Sequence, residues 1–279
     1  MTIDLEPQSQ ASVPELGTVQ ETLLTPLCAR ADQVGRPDAI VDDPTAAKMV
    51  ASIDYDFNKI RCFHDTMVGC AIRAARFDRW IKSFLDGPKP CTLVLIGEGL
   101  DTTFERNDDG ESHWFELDFP DVISLRRRLF EPKGRRTLIA GDVFDRDWIE
   151  RVRNAGTSRH LFQIAGVLMY LPPDRVRELF IMLAEEFPGC TVLFDTCSEL
   201  AKRHSGRWEA SVRTTRAKYQ WGINDARRIG DWDDRIRVTD VEYTLDYHRH
   251  QWRPSTRFWS AIYRPLRHAY QLNRAVMRA

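Results

Sequence analysis

Three carboxylates stand where strand-like runs end, and glycines flank the first of them. Cys91-Thr92-Leu93-Val94-Leu95-Ile96 closes on Gly97-Glu98-Gly99. His113-Trp114-Phe115-Glu116-Leu117 closes on Asp118, and Arg136-Thr137-Leu138-Ile139-Ala140-Gly141 closes on Asp142. In an open parallel sheet, the carboxyl ends of the strands form the ligand crevice. Glycines there permit a tight turn and a close approach of backbone to ligand. Asp118 lies 21 residues after Gly97, the spacing at which a carboxylate accepts both hydroxyls of a ribose. Asp142 and the backbone beside it would meet an exocyclic adenine amine. The set describes a pocket for an adenosine. The alternative is that Asp118 and Asp142 only cap the helices after them.

The turn chemistry separates the adenosine cofactors. A dinucleotide site wants GxGxxG with a helix N-terminus facing a pyrophosphate. Here Thr102 stands in place of the third glycine, and Glu98 and Asp101 would repel a phosphate. An acidic turn suits a cationic ligand. S-adenosyl-L-methionine carries a sulfonium and an ammonium, and it is the cofactor this pattern points to. A nicotinamide oxidoreductase is disfavoured by the same residues.

The surrounding pattern supplies elements able to hold such a site. Glu21 to about Asp86 reads as helical, closed by Gly87-Pro88. Five short apolar runs then alternate with helical stretches. The clearest helix starts at Pro172-Pro173-Asp174, carries Val176, Leu179, Phe180, Leu183 and Phe187 as its apolar stripe, and stops at Pro188-Gly189. Alternation with short connections predicts an α/β fold: a mostly parallel sheet with helices on both faces. Val241 to His248 reads as an antiparallel strand. His268 to Arg278 fits either a helix or a closing strand.

Composition excludes several classes. Lys+Arg is 40 against 41 Asp+Glu, a net charge of -1, which removes the global argument for a nucleic-acid or membrane-surface protein. No apolar run is long enough to span a bilayer. The start MTIDLEPQSQASVPEL has neither the basic residues nor the apolar core of a signal peptide, so a cytoplasmic location is expected. The six cysteines are scattered without a CxxC pair and read as buried free thiols, and no metal site is expected. The runs Arg126-Arg127-Arg128 and Arg135-Arg136 read as a solvated helix face and turn.

Several motifs in fixed order make a family visible. LVLIGEGLDTTFER, WFELDFPDVISLRRRL, AGDVFDRDW, IAGVLMYLPPDRV and PGCTVLFD follow one another, preceded by RPDAIVDDPTAAKMV, IDYDF and IRAARFDRWIKSFL and followed by KYQWGINDAR. The chain resembles the leucine carboxyl methyltransferase family, and within it the bacterial branch with the tetracenomycin-type polyketide O-methyltransferases. The resemblance implies a class I methyltransferase, Rossmann-like in fold, that uses S-adenosyl-L-methionine. It also implies individual contacts. Arg73 would pair with the cofactor's carboxylate, where a planar guanidinium is well suited. Gly97 and Gly99 would face its methionine portion, Asp118 the ribose, and Asp142 with Val143 the adenine, with Glu98 and Leu117 also against the cofactor. Ala165 stands where the family carries Glu or Gln, near the cofactor's amino-acid end. Gln163, two residues earlier on the same strand face, could replace it.

The expected organisation is a flexible tail over residues 1–16 and one methyltransferase domain over 17–279. Within it, 17–88 forms a helical cap, 89–197 the cofactor core, and 198–279 a substrate-side segment with closing strands. The expected reaction is O-methyl transfer to a carboxyl or hydroxyl group of a small natural product. Alternatives are a protein C-terminal carboxyl as acceptor, or a cofactor-binding member that has lost methyl transfer. In-line displacement between an anionic oxygen and a sulfonium gains from positioning, up to about 7–11 kcal/mol. No His/Glu or His/Asp pair is evident beside the pocket, which leans towards a carboxylate acceptor needing no base. Five of the eight tryptophans lie in the last 80 residues, and aromatic walls suit a flat small molecule. Tyr55, Tyr170 and Trp221 are the candidate substrate contacts, and a homodimer is a possible assembly.

Overall fold

The computed structural model describes residues 20–209, 213 and 217–278, so the expected tail over 1–16 lies outside it. Four helices come first: α1 (Leu24–Ala31), α2 (Pro44–Ser52), α3 (Asn58–Arg61) and α4 (His64–Leu85). Strands and helices then alternate: β1 (Thr92–Ile96), α5 (Thr103–Asn107), β2 (His113–Asp118), α6 (Pro120–Leu129), β3 (Arg136–Ala140), α7 (Asp147–Arg153), β4 (His160–Ile164), α8 (Pro173–Glu186), β5 (Thr191–Cys197) and α9 (Glu199–Trp208). The chain closes with β6 (Ile236–Tyr243), α10 (Pro254–Ile262), α11 (Arg264–Arg267) and β7 (Tyr270–Met277).

All seven strands join one sheet in the order β3-β2-β1-β4-β5-β7-β6. The first five run parallel, and β7 lies antiparallel to both of its neighbours, β5 and β6. The expected α/β class holds, and β1 and β4 flank the switch point where connections change direction. Every residue of β1 is buried, as an apolar run covered on both faces must be. One face of the sheet packs Val94, Phe162, Ile164 and Phe194 under α7 and α8. The other packs Leu93, Leu95, Leu161 and Leu193 under α4.

Two expectations about the last third change. The strand foreseen at Val241 to His248 spans Ile236–Tyr243 instead, ends in a 3-10 turn at Thr244–Asp246, and leaves His248 at φ 44°. The ambiguous segment His268 to Arg278 is the closing strand β7. Tertiary pairing decides both: β7 inserts between β5 and β6, and its burial comes from neighbours far away in sequence.

The N-terminal helices are fastened to the sheet by charge. Asp43 caps α2 through the Ala46 N–H at 2.9 Å. Its other oxygen accepts Arg30 Nε at 2.9 Å and Arg106 Nη1 at 3.1 Å. Arg106 also holds Asp78 of α4 at 2.7 Å. The side chains of Arg30 and Asp43 are each only 1% exposed. Removing one partner of such a buried group leaves uncompensated charge, at a cost of about 3–5 kcal/mol. Asp43→Ala is therefore expected to lose about that much stability in urea unfolding. Arg61→Ala, whose pairing with Asp32 is solvent-exposed, is expected to lose less than about 1 kcal/mol.

Candidate active site

The turn after β1 is built from positive φ angles and buried arginine. Gly97 and Gly99 have φ of 66° and 57°. A Cβ on Gly97 would collide with Val167, and one on Gly99 would lie 2.6 Å from Leu23 Cδ2. Both glycines are thus required by backbone conformation and by protein packed against the turn. The Gly97 N–H donates to Leu117 O at 2.8 Å, and the Gly99 N–H donates to Asp118 Oδ2 at 2.7 Å. Arg126 Nη1 donates to the carbonyls of Gly99 and Asp101 at 2.7 and 2.9 Å, while its Nε donates to Glu116 Oε2 at 2.8 Å. Arg126 is fully buried. The expectation of a solvated arginine run holds for Arg127 and Arg128 but fails for Arg126, which α6 turns inward beside Val122 and Leu129. It fails for Arg136 as well: its side chain is buried and paired with Glu105.

The two acidic side chains of the turn have different fates. Asp101 was expected to face a cation, but it accepts Arg30 Nη1 at 3.2 Å and Arg106 Nη1 at 2.9 Å. Burial opposes its ionisation, and these two guanidiniums outweigh burial and hold its pKa below the carboxylate range. Glu98 has no such support. It is 6% exposed, and its Oε1 has no hydrogen-bond partner among the described residues. Burial, with Asp101 nearby, pushes its pKa well above the carboxylate range.

Beyond the carboxyl ends of β1, β4 and β5 lies a cavity of about 680 Å³. One pole is polar and contains Gly97, Glu98, Gly99, Ala165, Gly166, Arg73 and Asp195. Arg73 Nη1 donates to Asp195 Oδ2 at 2.9 Å, and Asp195 Oδ1 accepts the Gly166 N–H at 2.7 Å. Burial works against the Arg73 charge, yet Asp195 beside it raises the pKa above the ordinary arginine value. The other pole is aromatic, with Tyr170, Tyr219, Trp208, Trp252 and Trp259 on its wall. The rings of Tyr170 and Tyr219 meet edge to face at 5.2 Å. The α10 segment is tied over this pole by His64 Nε2, which donates to Gln251 O at 2.7 Å, and by Asp65, which accepts the Arg253 N–H at 3.2 Å.

Several predicted residues lie elsewhere. Asp118 at the carboxyl end of β2 and Asp142 after that of β3 lie outside the cavity lining, Asp118 touching it through Gly99, and Phe119 beside Asp118 is half-exposed. Asp118 divides its oxygens between the N–H groups of Gly99 and Phe119, and Asp142 Oδ1 accepts the Phe144 N–H at 3.0 Å. Leu117 packs in the core under α7 and α8, and the half-buried Val143 packs against that core and accepts the Trp148 indole N–H on its carbonyl. Tyr55 packs on Phe57 in the N-terminal helical cluster, and Trp221 is buried against Trp232. Neither Tyr55 nor Trp221 lines the cavity. Gln163 does not replace the missing group at Ala165: it is 2% exposed and donates to Thr103 Oγ1 at 3.1 Å, away from the cavity wall.

Sequence reasoning missed Asp195, although it ends the fifth apolar run just as Asp118 and Asp142 end theirs. It also missed Glu209, which lines the cavity and accepts the Tyr270 hydroxyl. Burial raises the Glu209 pKa, and its partner Tyr270 counters that only in part. No local signal marks Glu209, because its partner is 61 residues away. A carboxyl able to serve as a base therefore lines the cavity, where the sequence made none evident. Of the cysteines, Cys62 is exposed and Cys70 lies on the cavity wall, where burial pushes its thiol up to about 11, so it is protonated at neutral pH.

Strand order, acidic turn and cavity define a class I methyltransferase site, and its residues fit S-adenosyl-L-methionine through the unpaired Glu98 carboxyl at the polar pole. The leucine carboxyl methyltransferase model matches residues 24–184, and the chain belongs to that family. It is 31% identical over 213 residues to the tetracenomycin polyketide synthesis O-methyltransferase TcmP of Streptomyces glaucescens, covering 76% of this chain and 77% of that one. It is also 31% identical over 185 residues to the S-adenosyl-L-methionine-dependent methyltransferase dpfgK of Gibberella zeae, covering 60% and 61%. In structure it is similar to a provisionally named methyltransferase of Thermobifida fusca, with TM-score 0.58 over 92% of this chain and 94% of that one at 15% identity.

The turn geometry yields a direct test. Gly99→Ala should destabilise the protein by at least about 1–2 kcal/mol, from positive φ and the contact with Leu23. Gly206→Ala, in helix α9 with open space at its Cβ, should stabilise it by about 0.5–1 kcal/mol. Urea unfolding of the two variants measures both.

Proposed function

We propose that this chain is an S-adenosyl-L-methionine-dependent O-methyltransferase acting on a carboxyl or hydroxyl group of a small, largely apolar natural product. The observation that carries the reading is a single cavity with a charged pole under the Gly97–Gly99 turn and an aromatic pole beneath α10. Its volume of about 680 Å³ falls within the range of small-molecule and cofactor sites. The cofactor, when bound, supplies an electrophilic methyl group on a sulfonium. Arg73 and Glu98 would hold its amino-acid end and Asp118 its ribose, with Phe119 and Asp142 beside the adenine. The name borne by dpfgK supports the cofactor, and that of TcmP supports O-methyl transfer to a polyketide-like acceptor.

The protein's own contribution is positioning and exclusion of water. Tyr170 and Tyr219 offer aromatic surface to a flat acceptor, with Trp259 of α10 and Trp252 just before that helix on the same wall. A specific observation favours a hydroxyl over a carboxyl acceptor. Glu209 presents a carboxyl to the cavity whose pKa burial raises, which makes it a stronger base able to accept a hydroxyl proton. The aromatic lining also speaks for a small molecule rather than a protein C-terminus. The cap over 17–88, the core over 89–197 and the segment over 198–279 would act as one domain around this cavity.

Calorimetry with S-adenosylhomocysteine should give micromolar or tighter binding, and Asp118→Ala should weaken it at least tenfold. In the presence of labelled S-adenosyl-L-methionine and extracts of polyketide-producing bacteria, label should enter an organic-soluble compound. Absence of cofactor binding, or label on a protein band instead, refutes the reading.

A further inference from the structure

The polar pole of the cavity contains carboxylates with and without partners. Asp101 is neutralised by Arg30 and Arg106, and Asp195 is held by Arg73 and the Gly166 N–H. Glu98 forms no ion pair among the described residues, and its Oε1 accepts no hydrogen bond there. A carboxyl that is 6% exposed and unpaired is costly to keep unless a ligand completes it.

Strand register says what it would complete. β1 and β4 are paired through Ile96 and Ile164. Continued past the strand ends, that register sets Gly97 opposite Ala165 and Glu98 opposite Gly166. Arg73 reaches the same spot from α4: its Nη1 is 2.7 Å from where a Cβ on Gly166 would lie. A negative and a positive group therefore flank one strand end, as the zwitterionic end of an α-amino acid requires. Ala165 offers nothing to an ammonium, and Gln163 is turned away to Thr103.

We propose that Glu98 binds the ammonium group of the cofactor's amino-acid end, taking over from β1 the role that the family's acidic or amide side chain at 165 would fill from β4. This rests on the cofactor reading above and deepens it. Both solutions would bring a carboxylate to the same polar pole, from neighbouring strand ends. The groups around Glu98 are Asp101 in the turn, Glu116 on β2, Arg126 on α6 and Arg106 on α5. The two acids raise its pKa and the two arginines lower it, with burial the larger influence. A protonated Glu98 cannot pair with an ammonium, so affinity should fall as pH drops through its titration.

The test is calorimetry of the full chain with three probes: S-adenosyl-L-methionine, S-adenosylhomocysteine, which keeps the ammonium but not the sulfonium, and 5′-methylthioadenosine, which lacks the amino-acid end. Glu98→Gln should weaken the first two equally, by roughly 10- to 100-fold, and leave the third within about twofold. It should also abolish the fall in affinity on acidification. Adding Ala165→Glu to Glu98→Gln should restore S-adenosylhomocysteine binding to within about threefold of wild type. Glu98→Ala serves as a second variant, with the same selective loss expected should the glutamine variant fail to fold. Loss of S-adenosyl-L-methionine alone would assign Glu98 to the sulfonium and overturn the proposal. Equal loss of all three probes would make Glu98 a builder of the turn and overturn it as well. Unchanged binding, or a double variant as weak as Glu98→Gln, overturns it too. Wild-type protein that binds none of the probes fails the cofactor reading itself, a distinguishable result.

Discussion

Buried carboxylates near one turn must each find a counter-charge, and that requirement organises most of this molecule. Asp43, Asp78 and Asp101 share Arg30 and Arg106, and Glu116 takes Arg126. The network draws α1, α2, α4, α5 and α6 together around the end of β1. Arg126 then uses its remaining donor capacity on the carbonyls of Gly99 and Asp101, so the shape of the turn depends on charge pairing beneath it. Buried pairs of this kind add little net stability over an apolar core, but they fail badly when one member is removed. Their value here is geometric, because they hold a strained glycine turn in a single conformation.

Against that background, the exception is informative. Asp43, Asp78, Asp101 and Glu116 each pair with an arginine, whereas Glu98, which lines the cavity, forms no ion pair among the described residues. A protein folding for stability alone would gain by replacing it. An uncompensated carboxyl in a site otherwise careful about pairing marks where a cationic ligand group is expected. Arg73 shows the opposite arrangement: its positive charge is already shared with Asp195, so a ligand carboxylate there would join an existing pair.

The aromatic pole depends on a different kind of force. Its wall comes from α9, α10 and the segments around Tyr219 and Tyr270, and hydrogen bonds at the start of α4 hold α10 over it. These contacts join residues nearly 190 positions apart. The charged and aromatic poles are thus built largely from separate parts of the chain.

The sequence alone determined the α/β class, the helix from Pro173 with its apolar stripe, the carboxylates at the ends of β1 to β3, and an acidic turn hostile to phosphate. All of these are local: period, capping and turn chemistry act over a few residues, and a carboxylate at a strand end is placed by the strand itself. Tertiary structure decided what each acid does. Asp101 and Glu98 are three residues apart and look alike in sequence, yet one is ion-paired with two arginines from distant helices and the other, among the described residues, with none. The same holds for Arg126 against Arg127, for Gln163 against Ala165, and for Tyr55 and Trp221, whose aromatic rings fill cores instead of the cavity. Glu209 met Tyr270 only because β7 enters the sheet between β5 and β6. Charge partners, burial and the walls of a cavity are set by segments remote in the chain, and no local pattern encodes which of them will arrive.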